Sequence, residues 1–447
     1  MESPFFVIFA NMQLNNPKIV RAWCMYDWAN SVYSLVITST IFPVYYENVT
    51  KQFFENEMVS FFGYQLPNTT LYSYALSFSF LFVALLSPLL SGIADYSGKK
   101  KAFMQFFTYL GGASCIVLYF FTGENIELGI IASVFASIGY SGSLVFYNAF
   151  LPEIASPDKY DVVSARGYSL GYLGSVLLLI VNLVMIENPT WFFGPDPTDA
   201  QSLELVKWSF LMVGVWWIGF AQITFKLLPN NPYNRKPKGQ LLLKGYQELR
   251  SVWRRVKQYK NMKLYLGAFF FYNMGVQTVM YLAASFGAKE LKLEGGSLIL
   301  TVLIIQVVAI GGAYLFAQLS KMRGNRFSLL VQVLIWVVVC VLAYFTYTEY
   351  QFFGIAFIVG LVMGGIQSLS RASFSKLIPA DTDDNTSYFS FYDVMDKVST
   401  GLGTFVFGLV EHLTGGMRNS VLALITFFVI GFLLLLAVRI PKERSRL

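Results

Sequence analysis

The sequence has 447 residues, of which 55% are hydrophobic and only 13% are charged, and its mean hydropathy is +0.54. Because a soluble domain carries about a quarter charged residues, this composition excludes an ordinary water-soluble protein and indicates a membrane protein. The net charge of +7 does not by itself point to an acidic partner, and we expect no nucleic-acid binding.

Twelve apolar runs along the chain approach the length of about 20 residues that is needed to cross the hydrocarbon of a bilayer. In order, these predicted spans are Trp23–Tyr46, Leu71–Ala94, Ala102–Phe121, Leu128–Phe150, Ala165–Ile186, Leu205–Leu228, Lys263–Gly287, Gly296–Leu319, Phe327–Tyr347, Phe352–Arg371, Ser387–Val410 and Met417–Ile440. The sequence therefore predicts an all-α membrane protein with twelve transmembrane helices.

One long polar run, Pro229–Met262, separates the first six spans from the last six. It holds nine Lys and Arg residues against a single acid, Glu248. With both chain ends placed inside, five of the 33 basic residues lie in outer loops, Lys397 lies within a span, and the other 27 lie on the inner side. This asymmetry predicts that both termini and the polar run are cytoplasmic. A nucleic-acid-binding patch is the alternative for the run, but basic charge beside a span already has a sufficient cause.

The two halves of the chain look like copies of each other. Pro152 follows the fourth span as Pro379 follows the tenth, and Gly174 in the fifth span matches Gly401 in the eleventh. We therefore expect two pseudo-symmetric six-helix bundles, a pattern typical of transporters built from repeats. The predicted domains are an N-terminal bundle over residues 1–228, a basic linker over 229–262, a C-terminal bundle over 263–440 and a tail over 441–447.

The loop after the second span combines a carboxylate, a glycine turn and a cationic cluster, namely Asp95, Gly98, Lys99 and Lys100. Glycine can adopt the positive φ of a tight turn, and the acid can pair with a lysine or cap a neighbouring helix. This loop resembles the signature loop of the major facilitator superfamily, in which such residues latch the inner ends of the bundles. The second-half copy, Lys321–Arg326, lacks the acid, so we expect weaker latching there.

Four further stretches carry a narrower resemblance: Tyr26–Ser31, Phe146–Ile154, Gly364–Arg371 and Phe389–Asp393. Together they resemble the autophagy-related vacuolar amino-acid effluxer-like family of that superfamily. The resemblance implies a major facilitator fold and a transporter, with amino-acid export as the first choice of function. The long cytoplasmic insertions of the fungal members are absent, which favours a bacterial member in the plasma membrane.

Ionisable residues inside predicted spans are costly unless they face a cavity or a partner, so they are candidate functional residues. Asp27 lies about 9 Å from the inner border, and Asp393, Asp396 and Lys397 lie about 10–15 Å deep. They indicate a proton or ion pathway, or recognition of an amine; a purely structural charge network is the alternative. Because one lysine neutralises one acid, we predict that Asp393 pairs with Lys397 and that Asp396 carries the proton.

Two sets of candidate residues follow from these patterns. The candidate substrate or ion pathway comprises Asp27, Asn30, Tyr147, Asn148, Gln367, Tyr392, Asp393, Asp396 and Lys397. The candidate gate comprises Asp95, Gly98, Lys99, Lys100, Glu153, Arg166 and Arg371. Alternatives stay open: Asp27 as a gate latch, Arg371 extending to the membrane surface, and the polar residues of the fourth and tenth spans as helix–helix contacts.

The sequence as a whole predicts a secondary active transporter that moves a small polar solute by alternating access. The competing functions are a transporter-like receptor or scaffold, a transporter of sugars, peptides or nucleosides, and a membrane-embedded enzyme. The motifs of metalloproteases and P-loops are absent from the sequence, and its single histidine lies outside the predicted core, so we expect no enzyme activity. We expect no cofactor and no metal, with a small solute, membrane lipids and protons as partners of a monomer.

Overall fold

The computed structural model describes residues 14–54, 58–230, 241–380 and 382–441. The basic residues Arg235, Lys236 and Lys238 of the polar run lie outside the described residues, as does the tail beyond Pro441.

The described chain is built almost entirely from helices. They are α1 Pro17–Val32, α2 Phe42–Phe53, α3 Asn68–Ser97, α4 Lys100–Leu118, α5 Ile126–Ala149, α6 Leu151–Ile154, α7 Tyr160–Glu187, α8 Thr190–Phe193, α9 Asp199–Leu227, α10 Leu241–Gln258, α11 Lys260–Leu291, α12 Gly295–Arg323, α13 Asn325–Tyr344, α14 Glu349–Leu377, α15 Asn385–Thr414 and α16 Met417–Ala437. A π-helical segment, Tyr33–Ile41, joins α1 to α2, and strands β1 Met58–Phe61 and β2 Tyr64–Pro67 pair antiparallel.

Eleven of the twelve predicted spans each overlap one long helix of the structure, and the first covers parts of α1, the π segment and α2. Within the described residues, nine helices are long and apolar enough to cross a membrane. The helices at the first, seventh and eleventh predicted spans are not among these nine. The reason is physical, since these three helices carry polar residues into the interior and α1 gives way to the π segment. Twelve crossings therefore stay a prediction.

Several helix ends follow rules that are visible in the sequence. Asn16 caps α1 ahead of Pro17, and Thr348 forms a capping box with Gln351 at the start of α14. Gly98 ends α3 with φ 70°, the left-handed conformation that glycine adopts without a Cβ penalty. The glycine turn predicted between the second and third spans is thus confirmed.

Buried side chains form two large hydrophobic cores, one in each half of the chain. The first runs from Val20 to Leu228, and the second lies mostly between Val252 and Val438. Helices within a half approach closely where a residue is small. A Cβ on Gly364 of α14 would overlap the backbone carbonyl of Ala309 in α12, so only glycine permits that crossing.

The polar run between the halves was predicted to be a connecting loop. This prediction was wrong for its second part, which forms α10. Val252 and Val256 of this helix are fully buried, and Trp253 stacks on Phe391 of α15 at 5.2 Å between ring centroids. Four-residue spacing places the two valines on one face, which makes α10 amphipathic. The expectation of a loop overlooked this apolar face among the many charges.

One end of the helical bundle holds both ends of the described chain, and we call it the terminal face. The amide of Asn15, before α1, donates to the Ile154 carbonyl at 2.8 Å. The amide of Arg439, after α16, donates to Asn261 at the start of α11 at 3.3 Å. Polar contacts between the halves, such as Asn385 with Glu153, bring the start of α1 and the end of α16 to the same face.

Candidate transport site

A cavity of about 230 Å³ lies between the two halves, near the middle of the helices. Residues of α1, the π segment, α3, α5 and α7 line it on the first-half side, and residues of α11, α12, α14 and α15 line it on the second-half side. The first-half wall is rich in hydroxyls, including Ser31, Ser34, Thr38, Ser39, Ser137, Ser141 and Ser175. The second-half wall contributes amides and charges: Asn273, Gln277, Gln306, Gln367, Asp393, Asp396 and Lys397.

The charged residues of the cavity sit together on α15. Lys397 Nζ lies 3.0 Å from Asp396 Oδ2 and 3.8 Å from Asp393 Oδ1. Asp396 Oδ1 also accepts hydrogen bonds from Asn273 Nδ2 at 2.9 Å and from Gln277 Nε2 at 3.2 Å. Asp396 is therefore the well-satisfied carboxylate, held by one cation and two amides.

Asp393 is the less satisfied carboxylate. Asp393 is 7% exposed, and its Oδ2 makes no hydrogen bond with a described residue. Ser87 of α3 lies close enough to interact with this carboxylate. The prediction that Asp393, rather than Asp396, is the main partner of Lys397 was therefore wrong, since Lys397 lies nearer to Asp396 than to Asp393. The i, i+4 spacing of Asp393 and Lys397 favoured that pair. It could not take account of the side-chain amides of α11, which bind Asp396 and hold it near Lys397.

On the terminal side of the cavity, Arg371 of α14 is held by residues of the first half. Its Nη2 lies 3.3 Å from Asp27 Oδ2, which also accepts a hydrogen bond from the Tyr147 hydroxyl at 2.7 Å. Its Nε donates to Ser164 Oγ of α7 at 2.9 Å. Arg371 thus joins α14 to three first-half helices through charge-assisted hydrogen bonds.

Aromatic rings enclose the same guanidinium group. Its central carbon lies 4.2 Å from the ring centroid of Tyr168, 4.7 Å from Trp23 and 5.4 Å from Tyr147. Such contacts favour a planar, weakly hydrated cation in a buried site. Arg371 is 1% exposed, so the alternative in which it extends to the membrane surface is wrong.

The candidate pathway residues divide into two groups. Asn148, Gln367, Tyr392, Asp393, Asp396 and Lys397 line the cavity. Asp27, Asn30 and Tyr147 are buried and are not among its lining residues. Asp27 therefore stands in the position of a latch between the halves, which was one of the two alternatives for it.

Asp95 joins the halves at the terminal face by capping a helix of the other half. Its carboxylate accepts hydrogen bonds from the backbone amides of Thr386 at 3.2 Å and Ser387 at 2.6 Å, in the first turn of α15. These amides lack partners within their own helix, and the positive end of the helix dipole favours a carboxylate there. Of the two alternatives for Asp95, pairing with a lysine or capping a neighbouring helix end, the structure shows the cap; its role in gating stays a prediction.

Lys100 and Glu153 complete this contact. They form an ion pair, and Asn385 Nδ2 donates to Glu153 Oε1 at 3.0 Å. Two other candidate gate residues, Lys99 and Arg166, are exposed and make no ion pair with another residue of the described ranges. We therefore name the Asp95–Lys100–Glu153 contact with the start of α15 the first latch.

A second latch, centred on Asp161 of α7, was missed by the sequence analysis. Its Oδ2 lies 2.9 Å from Lys376 Nζ of α14, and the two residues are 6% and 5% exposed. Asn325 Nδ2 donates to Asp161 Oδ1 at 2.7 Å, and Ser320 Oγ donates to Oδ2 at 2.9 Å. The second-half loop thus also joins the halves, because α7 supplies the acid that the loop lacks, and weaker latching there stays a prediction.

The two latches and the Asp27–Arg371 pair lie between the cavity and the terminal face. Tyr172 and Gln367, 2.6 Å apart, join the halves beside the cavity itself. These contacts join the two halves on the terminal side of the cavity. Because each contact joins the halves, all of them must break before the cavity can open on that side.

Known proteins match this chain along nearly all of its length. The family described as "Vacuole effluxer Atg22 like" matches residues 15–446. The chain is 33% identical to the uncharacterized MFS-type transporter YxiO of Bacillus subtilis (strain 168) over 429 residues, which cover 96% of both chains. It is 23% identical to autophagy-related protein 22-1 of Aspergillus clavatus, over 87% of this chain and 77% of that protein.

Solved structures match the fold at low sequence identity. The major facilitator transporter FucP in the outward conformation superposes with a TM-score of 0.69 at 14% identity, covering 96% of this chain and 99% of that one. The proton:xylose symporter XylE, bound to 6-bromo-6-deoxy-D-glucose, superposes with a TM-score of 0.70 at 11% identity, covering 96% and 97%. The fold, and the matches to the Atg22-like model and the Bacillus subtilis relative, show that the chain belongs to the Atg22-like family of major facilitator transporters, which are not enzymes.

Proposed function

We propose that this chain is a proton-coupled secondary transporter of a small zwitterionic solute, with amino acids as the first choice. The observation that carries the proposal is the cluster of Asp393, Asp396 and Lys397 on one wall of a cavity between the halves. A zwitterion offers an ammonium to a carboxylate and a carboxylate to the lysine. The description of family members as vacuole effluxers supports export as the direction.

Asp393 is the residue that we assign to the ammonium group or to the coupling proton. Its Oδ2 lacks a hydrogen bond within the described part of the chain, whereas Asp396 is already held by Lys397, Asn273 and Gln277. A buried carboxylate without full compensation gains from binding a cation or a proton. This assignment replaces Asp396 as the proposed proton carrier.

Alternating access follows from the latches in this proposal. The present arrangement is the state closed at the terminal face, and the opposite state needs both latches and the Asp27–Arg371 pair to separate. We assign the terminal face to the cytoplasm and the chain to a bacterial plasma membrane, because Lys and Arg are concentrated on that face. The N- and C-terminal bundles, residues 1–228 and 263–440, are the two moving bodies, in keeping with their separate cores.

A neutral polyol or sugar is the second candidate solute. The hydroxyl-rich wall of the π segment and α5 favours it, because serine and threonine hydroxyls match neutral hydroxyl groups. In this alternative, the cluster on α15 serves coupling alone and does not contact the solute.

Thermal-shift measurements on the purified protein separate the candidates, because a ligand that binds the native state raises the apparent stability. We expect amino acids to raise the midpoint, while their decarboxylated amines and deaminated acids have weaker effects. Lys397→Met should remove the preference for the carboxylate-bearing ligand. Stabilisation by sugars alone, unchanged in Lys397→Met, contradicts the zwitterion proposal.

A further inference from the structure

Helix α10 presents a stripe of basic residues away from the transporter body. Arg250, Arg254 and Lys257 are all exposed. At 100° per residue they fall within about 60° of the helix circumference, and they span about 10 Å along its axis. None of the three forms an ion pair with another described residue. We call these three residues the basic stripe.

Two exposed aromatic side chains flank the basic stripe. Tyr246 is 57% exposed, and helical geometry places both rings within about 60° of Lys257. Trp253 stacks on Phe391 with one side of its ring, yet it is 42% exposed and lies 5.0 Å from Lys257 Nζ. Tyrosine and tryptophan are enriched at the boundary between lipid and water. Basic residues beside such rings are typical of protein surfaces that contact lipid headgroups.

The other sides of α10 are attached to the gating region. Val252 and Val256 are buried, and Arg255 forms an ion pair with Asp384, the residue that precedes α15. The first turn of α15 is the same turn that Asp95 caps in the first latch. Helix α10 therefore contacts the start of α15, beside the first latch, with one side, and its basic stripe on another side is exposed.

We propose that the basic stripe binds the headgroups of anionic phospholipids, and that this binding holds α10 against the closed terminal face. Charge complementarity is the driving force, since an anionic leaflet attracts basic residues beside a membrane protein. Three charges spaced over about 10 Å suit several separate headgroups better than one soluble phosphate. A ligand that binds only one conformation shifts the population toward it.

Native mass spectrometry of the full chain in detergent with phosphatidylglycerol measures the binding directly. The test variant is R250Q/R254Q/K257Q, and the control is K263Q/K321Q/R323Q, which removes three exposed charges elsewhere near the terminal face. We expect the test variant to bind phosphatidylglycerol about a hundredfold more weakly than wild type. The control should retain most of its affinity. Equal lipid retention by both variants overturns the proposal.

Hydrogen–deuterium exchange in nanodiscs supplies a second measurement that does not depend on a variant. With phosphatidylglycerol added to phosphatidylcholine, exchange in Leu241–Gln258 should slow for the wild-type protein, and sodium chloride should reverse the effect. Unchanged exchange contradicts the proposal. Equal slowing by inorganic phosphate in pure phosphatidylcholine also overturns it, because the stripe would then be a site for a soluble anion.

Discussion

Removal of the Asp161 carboxylate tests whether the second latch holds the terminal face closed. Asp161→Asn leaves Lys376 as a buried ammonium with only neutral partners, because Asp161 is its one anionic contact among the described residues. Breaking a buried ion pair by neutralising one partner costs about 3–5 kcal/mol. The open state avoids this cost if Lys376 reaches water there, so the ratio of open to closed protein should rise by about a hundredfold to a few thousandfold.

Cysteine labelling from the terminal side reports that shift. Ala165 is fully buried and packs with Ala313 and Ala317 of the second half, so Ala165→Cys reacts only when the halves separate. We expect Asp161→Asn to increase its labelling rate by a water-soluble maleimide strongly. The control Asp158→Asn removes an exposed acid from the same connection and should leave the rate unchanged.

A double variant distinguishes a lost ion pair from general damage. Asp161→Asn combined with Lys376→Met removes the stranded charge, and replacing a buried ion pair by apolar groups is often close to neutral. The labelling rate of Ala165→Cys should therefore return most of the way to that of the parent. A rate unchanged by Asp161→Asn, or a double variant as open as the single one, would refute this reasoning.

Three further predictions concern the gate and the topology. Asp95→Asn should slow transport while changing solute affinity only a few-fold, since Asp95 caps α15 at the terminal face; complete loss of binding in a folded protein contradicts this. Gly98→Ala should destabilise the protein by about 1 kcal/mol in denaturant titrations because φ is 70° there; an unchanged midpoint contradicts it. In cells, an impermeant reagent applied outside should label Tyr64→Cys and spare Ser251→Cys, and the reverse pattern overturns the assigned orientation.

Spans and the glycine turn at Gly98 were accessible to sequence reasoning because their signals are local. Each predicted span needed only a run of apolar residues. A cap or a lysine pair at Asp95 followed from the glycine turn and lysine cluster beside it, whereas its partner Ser387, 292 positions away in the chain, did not. Local patterns of this kind survive folding, since tertiary contacts rarely override a hydrophobic run of about 20 residues.

The second latch was inaccessible because its members come from distant parts of the chain. Asp161 meets Lys376 and Asn325 across 215 and 164 positions in sequence. Asp161 directly precedes an apolar run, and an acid in that position usually stabilises the N-terminus of its own helix. The only available signal was the missing acid of the second-half loop, which points to an acid supplied from another part of the chain.

The order of pairing within the α15 cluster failed for the same reason. The i, i+4 rule correctly places Asp393 and Lys397 on one helix face, but it says nothing of a neighbouring helix. Asn273 and Gln277 of α11 donate to Asp396 and fix it near Lys397. The π segment Tyr33–Ile41 was missed as well, since its sequence reads as an ordinary apolar run.

Amino-acid flux in proteoliposomes tests the proposed transport site most directly. Wild-type protein should accumulate an amino acid against its gradient when a pH gradient is imposed, and should also exchange labelled for unlabelled solute. Asp393→Asn should abolish the accumulation that the pH gradient drives, with exchange retained if Asp393 only carries the proton, or lost if it also holds the ammonium. Full accumulation by Asp393→Asn would contradict the assignment of that carboxylate to the transport site.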